Sequence, residues 1–253
     1  MKKRDRLLIV VPLLLSLAAC TSDAVRKKAE GESSASINAR LGLAYMQQGD
    51  NDVALEKLKR ALQQDPEMVT AHHYIAELYR QLKSPADAER HYKIALKLTP
   101  KDYSLQNNFG VFLCEQGNYA AAEERFLLAV QNAPANEPRD EFYENLAQCM
   151  MRKPDYEKAE KYFRIVLDIS PRMPVSLYQM ARISFDNGEY LRARAFFQRF
   201  SEIATQSAET LWLGVRIERK LGNPEAADEY ARLLKVNFPL ADETVSLMES
   251  EQQ

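Results

Sequence analysis

The chain of 253 residues is long enough for one large domain or for a continuous array of repeats. Its 46% hydrophobic and 28% charged residues, with only 8 glycines and 11 prolines, are typical of a folded helical protein and exclude a disordered chain. The formal net charge of −2 gives no reason to expect nucleic-acid binding.

The amino terminus has the organisation of an export signal. Four cations, Lys2, Lys3, Arg4 and Arg6, precede an apolar run over residues 7–15. A helix that crosses a bilayer needs about 20 apolar residues, so this run is too short to be a membrane span. Residues 1–19 are therefore predicted to be a signal peptide.

The signal ends in Leu17-Ala18-Ala19-Cys20, which resembles a bacterial lipobox. The resemblance implies cleavage before Cys20 and lipid on that cysteine; the alternative is an ordinary secretory signal with an incidental cysteine. Thr21 stands where inner-membrane retention signals usually carry Asp. We therefore expect a lipid-anchored protein on the periplasmic side of the outer membrane of a Gram-negative bacterium. Residues 20–34 would form the lipidated cysteine and a flexible polar tether.

A repeat with a period of 34 residues begins at Ala35. Three copies in strict phase share a proline at the end, an alanine at position 20 and a bulky residue at position 24: Pro66, Pro100 and Pro134; Ala54, Ala88 and Ala122; Leu58, Tyr92 and Phe126. This pattern is typical of the tetratricopeptide repeat, a pair of antiparallel helices that approach closely where small residues remove bulk.

The fold predicted from this pattern is all-α, a right-handed α-solenoid superhelix of six tetratricopeptide repeats over residues 35–240. The repeats start near residues 35, 69, 103, 140, 174 and 208, and the fourth is delayed by three residues at 137–139. Residues 241–253 are interpreted either as a capping helix or as a frayed tail.

Residues at the predicted turns agree with this phase. Position 15, where the first helix of a repeat ends, is glycine in four repeats: Gly49, Gly117, Gly188 and Gly222. A left-handed residue is useful there. Asn223 and Ser84, each followed by proline, are predicted to cap the second helices of the sixth and second repeats.

No catalytic constellation is evident. Adjacent His72 and His73 point about 100° apart on a helix, which is poor metal geometry, and His73 with Glu77 is interpreted as a surface pair. The third histidine is His91, and no glycine-rich phosphate loop is present. We therefore predict no enzyme activity, no cofactor and no metal site.

Cys114 and Cys149 lie on the first helices of the third and fourth repeats, which should pack side by side. In an exported protein a disulfide between them is expected, and the alternative is two small buried hydrophobic residues.

The first helices of such a solenoid line its inner face, where repeat positions 2, 5, 9, 12 and 13 usually point into a binding groove. The residues predicted for an N-terminal groove are Ala39, Leu43, Met46, His73, Glu77, Arg80, Asn107 and Val111. The second choice is a C-terminal groove that mixes aromatic residues with arginines, as binding hot spots do: Tyr178, Arg182, Phe185, Trp212, Arg216 and Arg219. Leu43, Met46 and Trp212 are equally compatible with core packing.

Residues 107–117 and 208–219 closely resemble the PilF/PilW pilotins of type IV pilus systems. Those are outer-membrane lipoproteins of six tetratricopeptide units, and members help the secretin, a ring-forming outer-membrane channel, to reach the membrane and multimerise. The resemblance implies a non-enzymatic protein, monomeric by itself, that binds a secretin subunit and so supports pilus biogenesis and twitching motility.

Two other functions are compatible with a tetratricopeptide lipoprotein. One is assembly of β-barrel outer-membrane proteins, and the other is an adaptor that docks peptidoglycan hydrolases.

Overall fold

The computed structural model describes residues 33–252, which form thirteen α-helices and no strand. In chain order the helices are α1 (Ser34–Gln48), α2 (Asn51–Gln64), α3 (Val69–Gln81), α4 (Pro85–Leu98), α5 (Tyr103–Glu115), α6 (Tyr119–Asn132), α7 (Asp140–Arg152), α8 (Tyr156–Ile169), α9 (Pro174–Asp186), α10 (Tyr190–Ser201), α11 (Ala208–Lys220), α12 (Pro224–Asn237) and α13 (Asp242–Glu251). The predicted all-α tetratricopeptide fold is confirmed. The signal peptide, Cys20 and the tether up to residue 32 lie outside the described residues.

The chain divides into two compact units, one ending at Leu78 and one beginning at Tyr79, with the boundary inside α3. In the first unit α1 packs against α2. In the second unit α5 packs against α6, α7 against α8, α9 against α10, and α11 against α12. Of the two possibilities for the C-terminal segment, the structure has the helix over Asp242–Glu251, since α13 packs against α11 and α12 and buries Leu247.

Within a helix pair, a glycine on one helix makes room for a large side chain on the other. A Cβ atom at Gly110 would lie 2.9 Å from Cδ1 of Phe126, which is fully buried. In the first unit a Cβ at Gly42 would lie 2.5 Å from Cγ of Leu58. Both distances are shorter than van der Waals contact, so these helices approach as closely as they do because the glycines have no side chain.

The predicted turn glycines all have left-handed backbone conformations, with φ of 80°, 74°, 79° and 69° at Gly49, Gly117, Gly188 and Gly222. In the second repeat the same position has positive φ without glycine, 57° at Lys83.

The two predicted caps differ in the structure. Asn223 caps α12 as expected, because its side-chain oxygen accepts a hydrogen bond from the backbone N–H of Ala226. The Ser84 hydroxyl precedes α4 but caps no backbone N–H, because it donates to Oδ2 of Asp87 instead.

Cys114 on α5 and Cys149 on α7 are joined by a disulfide, with their Cα atoms 5.8 Å apart. Both residues are almost fully buried, at 5% and 2% exposure. The bond closes the chain between residues 35 apart and joins the first helices of two neighbouring repeats.

Ion pairs link successive second helices on the other side of the repeats. Glu160 on α8 accepts hydrogen bonds from Arg164 at 2.6 Å and from Arg192 on α10 at 2.7 Å. Burial alone would raise the pKa of Glu160, but the hydrogen bonds and charges of the two arginines outweigh it and hold that pKa below its ordinary value. Glu160 is therefore ionised and paired at neutral pH.

Within residues 33–252 no helix combines the length and the apolar character that a membrane span requires.

Candidate functional site

The centre of the candidate site is a cation–π contact between neighbouring first helices. Phe185 is near the end of α9 and Arg216 is in the third turn of α11. The guanidinium carbon of Arg216 lies 4.3 Å from the centroid of the Phe185 ring. The ring is buried while the arginine is exposed, so the ring holds the charged group in place at the surface.

A second aromatic–arginine pair lies nearer the start of α9. The guanidinium of Arg182 is 5.9 Å from the Tyr178 ring and 3.9 Å from Oε1 of Glu209 on α11. Burial, together with a hydrogen bond and charge repulsion from Glu209, raises the pKa of Tyr178 well above its ordinary value. Tyr178 is therefore a neutral hydrogen-bond donor. Both Tyr178 and Arg182 interact with the carboxylate of Glu209 on α11.

A cavity of about 350 Å³ opens beside the Arg216–Phe185 contact. Its lining residues come from the ends of α9 and α11 and the start of α10: Phe185, Asp186, Tyr190, Arg216, Arg219 and Lys220. We call it the basic cavity, because three cations face one carboxylate. Phe185 and Arg216 were predicted as site residues, and the structure brings them together with Arg219.

The two remaining members of the C-terminal set, Trp212 and Arg219, also make contacts that stabilise the fold. Trp212 is half-buried and packs against the core cluster that contains Leu211, Val215 and Leu247. Arg219 donates a hydrogen bond to Oγ of Ser250 at 2.8 Å, which helps to hold α13 against α11. Of the two, only Arg219 also lines the basic cavity.

Three residues that line the basic cavity were not among the predicted site residues: Asp186, Tyr190 and Lys220. Asp186 and Lys220 both occupy position 13 of their repeats, immediately after the position 12 residues that were predicted. Position 13 is one of the predicted groove positions, but no residue at that position was selected for the site. Tyr190 belongs to a second helix, where the repeat pattern gives no signal for a surface role.

In the N-terminal set, two predictions are wrong. Ala39 is only 2% exposed and packs against Ala61 and Ala71, because its small side chain lies at a close helix contact. Asn107 is 5% exposed, and its Oδ1 accepts a hydrogen bond from Nδ2 of Asn145 at 3.1 Å. Neither offers a side chain to a groove.

The other residues of the N-terminal set are half-buried. Leu43 and Met46 lie about one turn apart on α1. Nε2 of His73 is 3.9 Å from Oε1 of Glu77, and Arg80 pairs with Glu115 at 2.8 Å. Val111 lies on α5.

Titratable side chains do not form a metal site in the part of the chain that the structure describes, where no group of three or more His, Cys, Asp or Glu residues could hold an ion. His72 is buried, and its Nε2 lies 3.0 Å from the carbonyl oxygen of Pro66.

The chain is similar in sequence to the tetratricopeptide-repeat family and to two known proteins. Residues 39–103, 80–137 and 113–174 match the family model of the tetratricopeptide repeat. The chain is 30% identical over 200 residues to the type IV pilus assembly protein PilF of Pseudomonas aeruginosa, covering 79% of each protein. It is 32% identical over 141 residues to an uncharacterized protein of Haemophilus influenzae, covering 56% of this chain and 76% of that protein.

Two solved structures share the architecture over most of their length. The structure of P. aeruginosa PilF has a TM-score of 0.75 and 28% identity, covering 86% of this chain and 97% of that one. PilW, described as a widely conserved type IV pilus biogenesis factor, has a TM-score of 0.74 and 28% identity, covering 86% of this chain and all of that one (100%).

Proposed function

Because the chain belongs to the tetratricopeptide-repeat family of type IV pilus biogenesis proteins that includes PilF and PilW, we propose that it is a pilotin. It binds the secretin subunit of a type IV pilus system without catalysing a reaction, and it promotes outer-membrane localisation and multimerisation of the secretin. The observation that carries the proposal is the similarity to PilF over most of both chains.

The mechanism is physical. Acyl chains on Cys20 fix the protein to the inner leaflet of the outer membrane, and the tether lets the repeats reach a subunit in the periplasm. Bringing subunits to a two-dimensional surface raises their effective concentration and so favours ring closure. The disulfide between Cys114 and Cys149 supports an oxidising compartment, since such bonds persist outside the cytosol.

Two surfaces are available for the partner. The aromatic–arginine contacts of Tyr178, Arg182, Phe185 and Arg216 support a site in the second unit, because buried aromatic residues beside arginine are frequent binding hot spots. Leu43 and Met46 on α1 remain the candidate for the first unit.

A deletion strain tests the proposal. We expect loss of twitching motility with the secretin left monomeric, restored by the wild-type gene and restored poorly by Cys20→Ala. A general loss of outer-membrane β-barrels would instead indicate barrel assembly, and a cell-division defect would indicate a hydrolase adaptor. Normal secretin multimers in the deletion strain would refute the pilotin role.

Co-purification of the secretin with the lipidated protein locates the surface. We expect Leu43→Asp with Met46→Asp to reduce secretin recovery if α1 contributes, with helicity by circular dichroism unchanged. The matched control is Ile37→Asp with Leu41→Asp, two exposed apolar residues of the same helix. Equal recovery with both pairs would exclude the predicted face of α1.

A further inference from the structure

Arg216 is held in place without being neutralised. Its contact is with the Phe185 ring, and within residues 33–252 no carboxylate lies within ion-pairing distance of it. Its neighbours differ, since Arg182 is 3.9 Å from Glu209 and Arg219 is 3.9 Å from Glu251. A guanidinium that is fixed on a ring and lacks a counterion loses little entropy when it binds an anion.

The charge around the basic cavity favours an anionic ligand. Arg216, Arg219 and Lys220 face a single carboxylate, Asp186. Because α9 and α11 both end here, their dipoles add a partial negative charge of about half an electron each. Part of the charge of Arg219 is already compensated by Glu251, yet the balance stays positive because neither Arg216 nor Lys220 has an acidic partner in the described chain.

A second cavity, of about 500 Å³, shares Tyr190 with the first. We call it the apolar cavity, and its lining residues surround the turn between α9 and α10 and the end of α11: Gly188, Glu189, Tyr190, Leu191, Arg192 and Leu221. Glu189 pairs with Arg192 at 2.6 Å, and Arg192 also pairs with Glu160 at 2.7 Å. Leu191 is 67% exposed, although a large apolar side chain is normally covered.

We propose that the basic and apolar cavities together bind an acidic–apolar segment of the partner polypeptide. A carboxylate of the segment pairs with Arg216 and Lys220, and a bulky apolar side chain nearby in the segment covers Leu191 and Leu221. Tyr190 separates the two contacts and contributes its ring to both. This proposal rests on the proposed function in one respect, namely that the ligand is a protein.

A polypeptide fits this arrangement better than an anionic membrane does. Two adjacent cavities of a few hundred Å³ each suit neighbouring side chains of one chain. Asp186 and Glu189 line the two cavities and are exposed, so a plane of lipid phosphates pressed against Leu191 would approach both carboxylates. A flexible segment can place one carboxylate beside Arg216 and avoid them.

Fluorescence anisotropy with short labelled peptides tests the proposal on the full chain. The probes are a peptide of alternating Asp-Asp and Leu-Leu pairs, the same peptide with Asn for Asp, and the same peptide with Ala for Leu. We expect the acidic–apolar peptide to bind, more weakly as salt rises, and both altered peptides to bind at least about tenfold more weakly. Equal binding of the Asn peptide would overturn the proposal.

Two variants and two matched controls locate the binding. Arg216→Glu and Leu191→Asp should each weaken binding of the acidic–apolar peptide by about tenfold or more. Arg60→Glu and Leu127→Asp change exposed residues elsewhere and should leave it unchanged. If vesicles of phosphatidylglycerol bind in an Arg216-dependent way while the peptide does not bind, the site is a membrane contact and the proposal is wrong.

Secretin recovery separates this inference from the proposed function. If Arg216→Glu retains the secretin as well as wild type does, and no acidic peptide binds, the inference fails and the pilotin role stands. If wild type retains no secretin but binds the acidic–apolar peptide at Arg216, the pilotin role fails and the site stands.

Discussion

The disulfide between Cys114 and Cys149 should contribute a large part of the stability of the second unit. It constrains residues 35 apart in sequence. In the chain-entropy model, closing a loop of that length removes about 13 cal/mol/K from the unfolded ensemble, which is about 4 kcal/mol at 25 °C. A typical domain has about 5–15 kcal/mol of net stability, so a loss of this size is readily measured.

The perturbation is the double variant Cys114→Ala with Cys149→Ala, which keeps both Cβ atoms. Urea denaturation, followed by circular dichroism, should show a decrease of about 3–4 kcal/mol in the free energy of unfolding. Adding a phosphine reductant to wild type should give a similar decrease. Because both cysteines are buried, reduction should be slow until the repeats open.

The control is the same reductant applied to the double alanine variant, which should have no effect. Free thiols at both Cys114 and Cys149 in wild-type protein denatured without reductant would refute the disulfide itself. A decrease below about 1 kcal/mol with the disulfide intact in wild type would refute the entropic argument, because the denatured chain would then already hold these residues together.

Three further substitutions follow from single contacts. Lys83→Gly should raise the free energy of unfolding by about 0.5–1 kcal/mol, because φ at this residue is 57°, whereas Lys83→Ala keeps the Cβ and should give no gain. Gly110→Ala should lower it by about 1–3 kcal/mol in the same denaturation assay, because the new Cβ meets the buried Phe126 ring; no change would mean that the ring moves freely. Glu160→Gln tests pH dependence: the lowered pKa of Glu160 means that it stabilises the fold above its ordinary pKa of 4.5 and loses this contribution as the pH falls through its folded value. The stability difference between wild type and Glu160→Gln should therefore be constant near neutral pH and shrink as the solution becomes acidic, and a difference that grew would contradict the assignment.

The helices could be predicted from sequence because the repeat encodes them redundantly. Small residues such as Gly110, large ones such as Phe126 and turn residues such as Gly117 recur with one period, so a substitution at one position does not hide the phase. Lys83 shows the consequence, since it adopts the positive φ of the turn although a lysine does not favour it. At this turn, the packing of the adjoining helices outweighs the backbone preference of the residue.

The roles of side chains within the groove were harder to predict. The position of a residue in the repeat determines which way its side chain points, but it does not determine how deeply that side chain is buried. Asn107 occupies position 5, as Tyr178 does, yet it is covered and bonded to Asn145. Its environment depends on which residue the next helix offers, and that is a tertiary contact that one repeat does not encode. Phe185 is buried too, but it keeps a role at the surface because Arg216 stacks on it.

Within the second unit, stability and binding are assigned to different repeats. Neighbouring repeats of this unit pack against each other, so a contact in one repeat stabilises mainly the adjacent repeats. The disulfide joins α5 to α7, whereas the two cavities lie at the ends of α9 and α11. Between them the ion pairs of Glu160 and Arg192 join α8 to α10, which carries Tyr190 and Leu191. The covalent bond thus stabilises the middle of the array, while the candidate site is positioned by noncovalent contacts of the last repeats, so a change at Arg216 can alter binding without weakening the repeats that the disulfide supports.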